Sequence, residues 1–313
     1  MKNLASPQQD FLVNMTYPSH NLTSSYSFTM ERITRSWIDA YDCLSPEIQS
    51  KAKMANYGVL TADILPNANL DVLIPISRWM LWAFIFDDYY GPFPKPELKE
   101  ICRKAIAVLR GQEINPGDNS LFKQLAITRN ELMEISNQEW IQRFIKSHQY
   151  YFQGLLMDTF SYKATPEYPS ASKYFSIRDR LIGGSMVCDL LELVGQIFPT
   201  ELFRHPFIQR LRLLSTRLMI FDNDIFSYQK ELAEGESMNL VLVLKFEEKI
   251  SVKKALSLTL KMRNNAYEEL MSFHDKITSF GTYGPLVQDY WHNTLILLEG
   301  QLKWYKKISK RYA

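Results

Sequence analysis

Apolar residues recur along this chain at intervals of three and four, which is the period of an α-helix. Clear runs of this kind lie at residues 70–84 and 211–221. Strict alternation of apolar and polar residues, which would indicate a half-buried strand, is hard to find. Glycine (12) and proline (14) are sparse in 313 residues, and they cluster at short breaks between segments of helix length. The pattern predicts an all-α protein, built as a single bundle of about ten helices.

No feature of the sequence divides the bundle into two domains. Residues 1–29 are polar, contain turn-forming residues and lack the helical period, so they are predicted to form an irregular N-terminal strap. Residues 30–313 contain no internal repeat, low-complexity block or Gly/Ser linker, and they are predicted to form one helical domain. Because 46% of the residues are hydrophobic, the chain can bury a large core.

The charge balance and the apolar runs exclude several classes of partner. A formal net charge of +2 lacks the basic excess of nucleic-acid-binding proteins, so we expect no nucleic-acid partner. The most apolar run, at residues 73–86, contains Arg78 and is shorter than the roughly 20 residues of a membrane span. The N-terminus lacks the apolar core of a signal peptide, and three scattered cysteines form no disulfide framework. We therefore expect a cytoplasmic protein without a membrane span.

Two adjacent carboxylates, Asp87 and Asp88, end an apolar and aromatic segment that stops at Gly91 and Pro92. They should therefore lie at the C-terminus of a helix, where the macrodipole disfavours negative charge. A nearby cation would stabilise them, and carboxylate oxygens are ligands that Mg²⁺ prefers. The alternative is an ordinary helix end with two solvated aspartates, and this pair alone does not decide between the two.

Asn223, Ser227 and Glu231 give a stronger signal, because they are spaced by four residues. On a helix they lie on one face, one turn apart, and their amide, hydroxyl and carboxylate oxygens could chelate one hard cation. Lys230 is adjacent and could contact an anion held by that cation. A polar stripe on a surface helix is the alternative, but large apolar residues alternate with the stripe and precede it. We therefore interpret the stripe as a metal site.

The two segments resemble the metal motifs of class I terpene synthases. One family motif is DDxx(D/E), and the other is (N/D)D(L/I/V)x(S/T)xx(K/R)E, which residues 223–231 match at every defined position. The first motif departs from the pattern, since Gly91 replaces the third acidic residue, and Asp87 would therefore carry most of the metal binding on that side. Two further resemblances, at residues 174–183 and 304–312, occur in the family's order.

The resemblance implies the class I terpenoid synthase fold, an antiparallel helical bundle around a central active-site cavity. It implies a terpene cyclase of the bacterial type that ionises a linear prenyl diphosphate, cyclises the carbocation and releases diphosphate. Farnesyl diphosphate is the favoured substrate and geranylgeranyl diphosphate the alternative. Three Mg²⁺ ions are implied, one on the Asp87 side and two at the second motif. The oligomeric state stays open, with a homodimer as one arrangement.

The resemblance also implies the residues that bind the diphosphate. Arg178 matches the arginine of the family's Tyr-x-x-x-Arg…Gly segment, which senses the diphosphate, although Arg180 is an alternative two residues away. Arg311 and Tyr312 match the Arg-Tyr ending of the bacterial-type enzymes, whose side chains hydrogen-bond the diphosphate. Lys230 would add a third cation to this set.

Three residues are expected to contact the substrate chain. Gly183, together with Gly184, would break a helix so that a carbonyl group points into the cavity. Phe84, one helical turn before Asp87, and Trp304 are candidate aromatic walls that could stabilise a carbocation. An aromatic residue at helical spacing can equally belong to the core, so both interpretations stay open.

Three other functions compete with this interpretation. A chain-elongating prenyltransferase of the same fold would carry two aspartate-rich motifs, whereas the second site here is of the Asn/Ser/Glu type. A metal-dependent phosphohydrolase could use the dipeptide His274-Asp275, but no companion histidine cluster is present. A non-enzymatic helical interaction protein would leave the polar stripe at residues 223–231 unexplained.

Overall fold

A computed structural model of the chain describes residues 15–18, 22–161 and 167–308. Within these ranges the protein has fourteen α-helices and no β-strand, which confirms the all-α prediction. Four helices have eight residues or fewer, too short to show a period over a window of roughly 11–18 residues. The helical period in the sequence therefore indicates only the ten longer helices.

The elements are α1 Ser27–Ile38, α2 Pro46–Ala55, α3 Tyr57–Ile64, α4 Leu70–Tyr90, α5 Lys95–Leu109, α6 Ser120–Glu134, α7 Gln138–Ser161, α8 Ala171–Leu181, α9 Gly184–Leu191, α10 Thr200–Phe203, α11 Pro206–Glu234, α12 Leu240–Glu247, α13 Val252–Ser272, a 3₁₀ segment His274–Tyr283, α14 Gly284–Lys303 and a π-helical turn Trp304–Ile308. Their buried apolar side chains form one continuous core. None of the described helices combines the length and the apolar character that a membrane span requires.

Helix α4 places the aspartate pair at its end, as predicted. Asn69 caps its start, because the Asn69 side chain accepts a hydrogen bond from the N–H of Val72 (3.1 Å). The helix ends at residue 90, and Gly91 follows it. Asp87 and Asp88 therefore lie in the last turn, at the negative end of the helix dipole.

Helix α11 carries the second predicted metal motif in its last three turns. It begins with Pro206, whose fixed φ and missing N–H suit the first helical position. It ends before Gly235, which has a φ of 74° and so closes the helix in the left-handed conformation. Residues 223–231 are helical throughout, and Asn223, Ser227 and Glu231 share one face.

The first helix starts earlier than predicted. Helix α1 begins at Ser27, whose N–H and hydroxyl both donate to the carbonyl oxygen of Ser24 (3.3 and 3.0 Å). This local bonding turns the chain into the helix before residue 29, the predicted end of the strap. The described residues ahead of it, 15–18 and 22–26, contain no helix.

Tyr17 links the N-terminal segment to α11. Its hydroxyl donates to Asp222 Oδ2 (2.8 Å), while Arg263 of α13 donates from Nε to Asp222 Oδ1 (2.9 Å). Arg263 also donates from Nη2 to the carbonyl oxygen of Thr16 (3.2 Å). Asp222 and Arg263 are both buried, so the pair fixes the N-terminal segment and α13 to the part of α11 that carries Asn223.

Two buried ion pairs hold α9 against its neighbours. Arg212 of α11 donates to Asp189 Oδ1 (2.5 Å), and Arg143 of α7 donates to Glu192 Oε2 (2.5 Å). All four side chains are at most one-tenth exposed, so removing one partner would leave an uncompensated buried charge. The pairs thereby position α9 relative to α7 and α11.

A buried histidine joins α4 to α7. His148 accepts a hydrogen bond at Nε2 from the indole N–H of Trp79 (2.9 Å) and lies 2.8 Å, through Nδ1, from the carbonyl oxygen of Phe144. The indole nitrogen can only donate and the carbonyl oxygen can only accept, so the histidine is neutral with its proton on Nδ1. Burial lowers the pKa of His148 from 6.5 to about 4.

The low pKa of His148 predicts a loss of stability in mild acid. Between pH 6.5 and about 4 the unfolded chain binds a proton at this residue and the folded chain does not. The contribution of His148 to the free energy of unfolding is therefore complete above pH 6.5 and falls by about 3 kcal/mol toward pH 4. Urea unfolding of the wild type and His148→Gln, which cannot titrate, should show curves that converge as the pH falls. Parallel curves would contradict the assignment.

Candidate active site

A cavity of about 300 Å³ lies at the centre of the bundle. Its polar end is lined by both predicted metal segments and by two of the predicted diphosphate-binding residues, namely Asp87, Asp88, Asn223, Glu231, Arg178 and Lys230. Its remaining walls are mainly apolar and come from α3, α4, α9, α11 and α14, with Leu60, Ile64, Met80, Met186, Met219 and Leu297 among them. The fold therefore brings together residues that lie more than a hundred positions apart in the sequence.

The aspartate pair at the end of α4 has two different environments. Asp88 Oδ1 pairs with Nζ of Lys51 from α2 (2.7 Å), which compensates its charge. Asp87 Oδ1 instead accepts a hydrogen bond from the hydroxyl of Tyr151 on α7 (3.2 Å). Both aspartates line the cavity, and the prediction that Asp87 carries most of the metal binding on this side stays a prediction.

On the opposite side, the second motif lies partly on the cavity surface and partly beneath it. Asn223 and Glu231 line the cavity, whereas Ser227 is fully buried and is not among the lining residues. The Ser227 hydroxyl donates to the carbonyl oxygen of Asn223 (2.8 Å). It also accepts a hydrogen bond from Nδ2 of Asn239 (3.3 Å).

Asn239 supports this face of the site, and its role is not apparent from the motif. Its Nδ2 donates to Glu231 Oε2 (2.8 Å) and to the carbonyl oxygen of Asp224 (2.9 Å). Its Oδ1 accepts a bond from the N–H of Val241 (2.9 Å), so Asn239 also caps α12. The signal available in the sequence is an asparagine directly before an apolar helical segment, which is a helix-start signature.

Arg178 lines the cavity and contacts the second motif. Its Nη2 donates to Asn223 Oδ1 (2.6 Å) and Asp224 Oδ1 (2.9 Å), and the side chain is about one-tenth exposed. Asp224 is in turn bonded by the Tyr174 hydroxyl and by the N–H of Leu240 (2.6 Å). Burial is the largest single effect and lowers the pKa of Arg178, but Asp224, Tyr174 and Glu231 together have the greater effect and hold that pKa well above its usual range.

Arg180, the alternative sensor, has a different position. Its Nη1 donates to the carbonyl oxygen of Ser176, and its guanidinium lies 4.8 Å from the centre of the Tyr150 ring. It is not among the residues that line the cavity. Of the two arginines, only Arg178 can reach a ligand in the cavity in this conformation.

The polar end of the cavity carries an excess of negative charge. Among the described lining residues, six carboxylates face three basic side chains, with Asp158, Glu234 and Glu236 adding to the motif acids. Burial and then the nearby charge of Asp224 raise the pKa of Glu231 to about 7. A cation beside Glu231 would relieve both effects. A diphosphate entering alone would be repelled.

These observations fit a site for divalent metal ions. Carboxylate, amide and hydroxyl oxygens are the donors that Mg²⁺ accepts, usually with substrate phosphates completing its shell. Among the described residues, no group of three or more His, Cys, Asp or Glu side chains could hold a metal by itself. The donor set therefore depends on the mixed side chains of the second motif and leaves positions for substrate oxygens.

The predicted wall residues line the same cavity. Phe84 stacks on Tyr57 with ring centres 4.4 Å apart, and Trp304 lies 6.3 Å from Phe84. Trp304 is fixed by a hydrogen bond from its indole N–H to the carbonyl oxygen of Ala55 (2.7 Å). Both aromatic rings therefore belong to the core and to the cavity wall at once.

Gly183 and Gly184 separate α8 from α9, as predicted. Gly183 has a φ of 77°, which favours glycine, and a Cβ on Gly184 would lie 2.6 Å from Oγ1 of Thr216. The Gly183 carbonyl accepts bonds from the N–H groups of Met186 and Val187 (3.0 and 3.2 Å), so it initiates α9.

Lys230 lines the cavity and pairs with Glu234 one turn further along α11 (3.1 Å). Arg311 and Tyr312 lie outside the described residues. The His274-Asp275 dipeptide is more than half exposed on both side chains and lies away from the cavity, at the start of the 3₁₀ segment.

The protein-family model described as "Terpene synthase family 2, C-terminal metal binding" matches residues 78–269 of this chain. The match includes both metal motifs and Arg178. The chain belongs to terpene synthase family 2. It is accordingly a terpene synthase with a divalent metal cofactor and a prenyl diphosphate substrate.

Curated relatives cover most of this terpene synthase. The germacrene A synthase of Nostoc punctiforme is 26% identical over 269 residues, which are 84% of this chain and 83% of the relative. The (+)-T-muurolol synthase of Roseiflexus castenholzii, described as cyclising (2E,6E)-farnesyl diphosphate, is 26% identical over 264 residues, or 81% and 79% of the two chains.

A solved structure confirms the fold. The 2-methylisoborneol synthase of Streptomyces coelicolor, in complex with Mg²⁺ and 2-fluoroneryl diphosphate, superposes with a TM-score of 0.83 at 17% identity and covers 96% of each chain. The predicted class I terpenoid synthase architecture is therefore present in this chain.

Proposed function

We propose that this terpene synthase cyclises farnesyl diphosphate to a sesquiterpene with three Mg²⁺ ions. The substrate is supported by the relatives, one of which is described as cyclising farnesyl diphosphate. The single observation that carries the proposal is the meeting of the aspartate pair, the Asn/Ser/Glu face and Arg178 around one cavity with apolar walls.

In this proposal, Asp87 on one side and Asn223, Ser227 and Glu231 on the other hold the metal ions. Bound Mg²⁺ would act as a Lewis acid that neutralises the charge developing on the diphosphate oxygens. Ser227 is buried and bonded to Asn223 and Asn239, so its hydroxyl would have to leave these partners to bind a metal ion. Asn239 orients Glu231 by donating to Oε2 (2.8 Å) and leaves Oε1 for a metal ion.

Arg178 and Lys230 would bind the leaving group as the bond between C1 and oxygen breaks and its electron pair departs with the diphosphate. The planar guanidinium of Arg178 suits phosphate oxygens, and its Nη2 already lies 2.6 Å from the proposed ligand Asn223. The resemblance implies that Arg311 and Tyr312, which lie outside the described residues, would complete this anion site. Charge-assisted hydrogen bonds of this kind are about twice as strong as neutral ones.

The apolar part of the cavity would fold the prenyl chain and keep water from the carbocation. Phe84 and Trp304 present aromatic surfaces near the metal end, where the first cation forms, and an aromatic face attracts a desolvated cation by about 2 kcal/mol. The methionine side chains Met80, Met186 and Met219 can adapt to a flexible apolar chain.

The proposal is tested with geranyl, farnesyl and geranylgeranyl diphosphate, each with Mg²⁺, with products analysed by gas chromatography–mass spectrometry. We expect the largest kcat/KM with farnesyl diphosphate and a cyclic hydrocarbon or alcohol as product. A parallel incubation adds isopentenyl diphosphate. A longer prenyl diphosphate in that incubation would contradict the proposal and indicate chain elongation instead.

A further inference from the structure

Trp79 is a cavity-lining tryptophan that belongs to neither metal motif. It lies on α4, two turns before Asp87, and its side chain is almost fully buried while it lines the cavity. Eight residues along a helix correspond to about 12 Å. Trp79 therefore lies deep in the cavity, away from the end at which the diphosphate would bind.

The orientation of the Trp79 ring is fixed by one hydrogen bond. Its indole N–H donates to Nε2 of His148 (2.9 Å), and His148 is held in turn through Nδ1 by the carbonyl oxygen of Phe144 (2.8 Å). His148 is fully buried, and the pair satisfies each other's polar atoms inside an aromatic environment. Rotation of the indole would leave both the N–H and Nε2 without a partner, which is costly in a buried site.

Aromatic rings surround His148 on several sides. Phe144 meets it edge to face with ring centres 4.5 Å apart, and Phe152 lies 6.3 Å away. Trp79 itself is tilted against Phe144 at 5.6 Å. Within the described residues, the imidazole therefore contacts aromatic rings and one carbonyl oxygen, which lies at Nδ1. The indole N–H of Trp79 is the hydrogen-bond partner of Nε2 there.

We propose that His148 is a positioning residue that holds Trp79 as the deep aromatic wall of the cavity, and that this wall determines which product forms. The inference rests on the proposed function and adds a specificity-determining pair to it. Tryptophan is the aromatic side chain that attracts cations best. A ring held in one orientation would stabilise a cation at the far end of the folded prenyl chain and restrict how that chain can fold.

The test compares Trp79→Phe, His148→Phe and the double variant with farnesyl diphosphate and Mg²⁺. We expect Trp79→Phe to lower kcat by about tenfold and to change the product ratio. His148→Phe should also change the ratio, because the indole is no longer held. In the Trp79→Phe background, His148→Phe should add no further change, as expected for two residues acting through one contact. His148→Gln, whose amide oxygen can accept the indole N–H, should restore the wild-type ratio.

Trp291→Phe is the matched control. Trp291 of α14 is buried and donates its indole N–H to the carbonyl oxygen of Leu270 (2.9 Å), but it does not line the cavity. It should lower thermal stability and leave the product ratio unchanged. The double variant removes both polar partners, so it remains informative if His148→Phe alone does not fold.

Two results would overturn the inference. An unchanged product ratio in Trp79→Phe would show that the ring is only part of the core. A changed ratio in Trp79→Phe with an unchanged ratio in His148→Phe would show that His148 does not position it. A failure of the proposed function would give a different result from these two. In that case the wild type itself would produce no terpene from farnesyl diphosphate.

Discussion

Glu231→Ala is expected to lower kcat/KM by roughly a thousandfold while leaving the fold intact, because Glu231 is the one carboxylate among the proposed ligands Asn223, Ser227 and Glu231. The fold should tolerate the change. Glu231 is repelled by the buried Asp224, which contributes to raising its pKa to about 7, so its removal relieves unfavourable charge. Asn239 keeps its bonds to Ser227 and to the Asp224 carbonyl oxygen.

The matched control for Glu231→Ala is Gln229→Ala, two residues earlier on α11. Gln229 is exposed, bonds to the hydroxyl of Tyr228 (3.1 Å) and does not line the cavity. It should retain wild-type kinetics. In addition, Mg²⁺ together with inorganic diphosphate should raise the melting temperature of the wild type and of Gln229→Ala, but not that of Glu231→Ala. Near wild-type turnover in Glu231→Ala would refute the metal assignment.

Arg178→Ala is expected to lower kcat by about a hundredfold to a thousandfold, whereas Arg180→Ala should change it by less than about threefold. The two variants should differ because the two arginine side chains lie in different places relative to the cavity. Arg178 lines the cavity and contacts Asn223, while Arg180 lies on the Tyr150 ring outside it. Steady-state kinetics with both variants checks the prediction, and an active Arg178→Ala with an inactive Arg180→Ala would reverse the assignment.

Stability must be separated from catalysis in this comparison. Arg178→Ala leaves the fully buried carboxylate of Asp224 without its cation, and breaking a buried pair costs about 3–5 kcal/mol. The double variant Arg178→Ala with Asp224→Asn removes that charge. The Asn oxygen can still accept bonds from Tyr174 and from the Leu240 N–H. It should recover melting temperature without recovering turnover, and recovered turnover would show that Arg178 is only structural.

Local sequence patterns predicted the parts of the site that lie within one helix. The spacing of Asn223, Ser227 and Glu231 needs only the helical period, and Gly91 marks the end of α4 directly after the aspartate pair. The burial of Ser227 could not be predicted in this way. It depends on Asn239, which follows the end of α11 and reaches the serine only because the chain reverses at Gly235.

The long-range parts of the site required the structure. Lys51 contacts Asp88 from a separate helix 37 residues away, and Trp79 finds His148 across 69 residues. The sequence around Lys51 and His148 does not reveal these contacts. A lysine on a helix surface and a histidine among aromatic residues are both common in proteins. The helical period does not reveal short helices such as α9, because eight residues span only slightly more than two turns.

The most direct test of the account is one assay of purified protein with farnesyl diphosphate, with and without Mg²⁺. Inorganic diphosphate and volatile products are measured in the same reaction. We expect one molecule of diphosphate to be released for each cyclic terpene formed, and neither product when Mg²⁺ is removed by a chelator. Turnover that persists without divalent metal, or diphosphate release without any terpene, would contradict it.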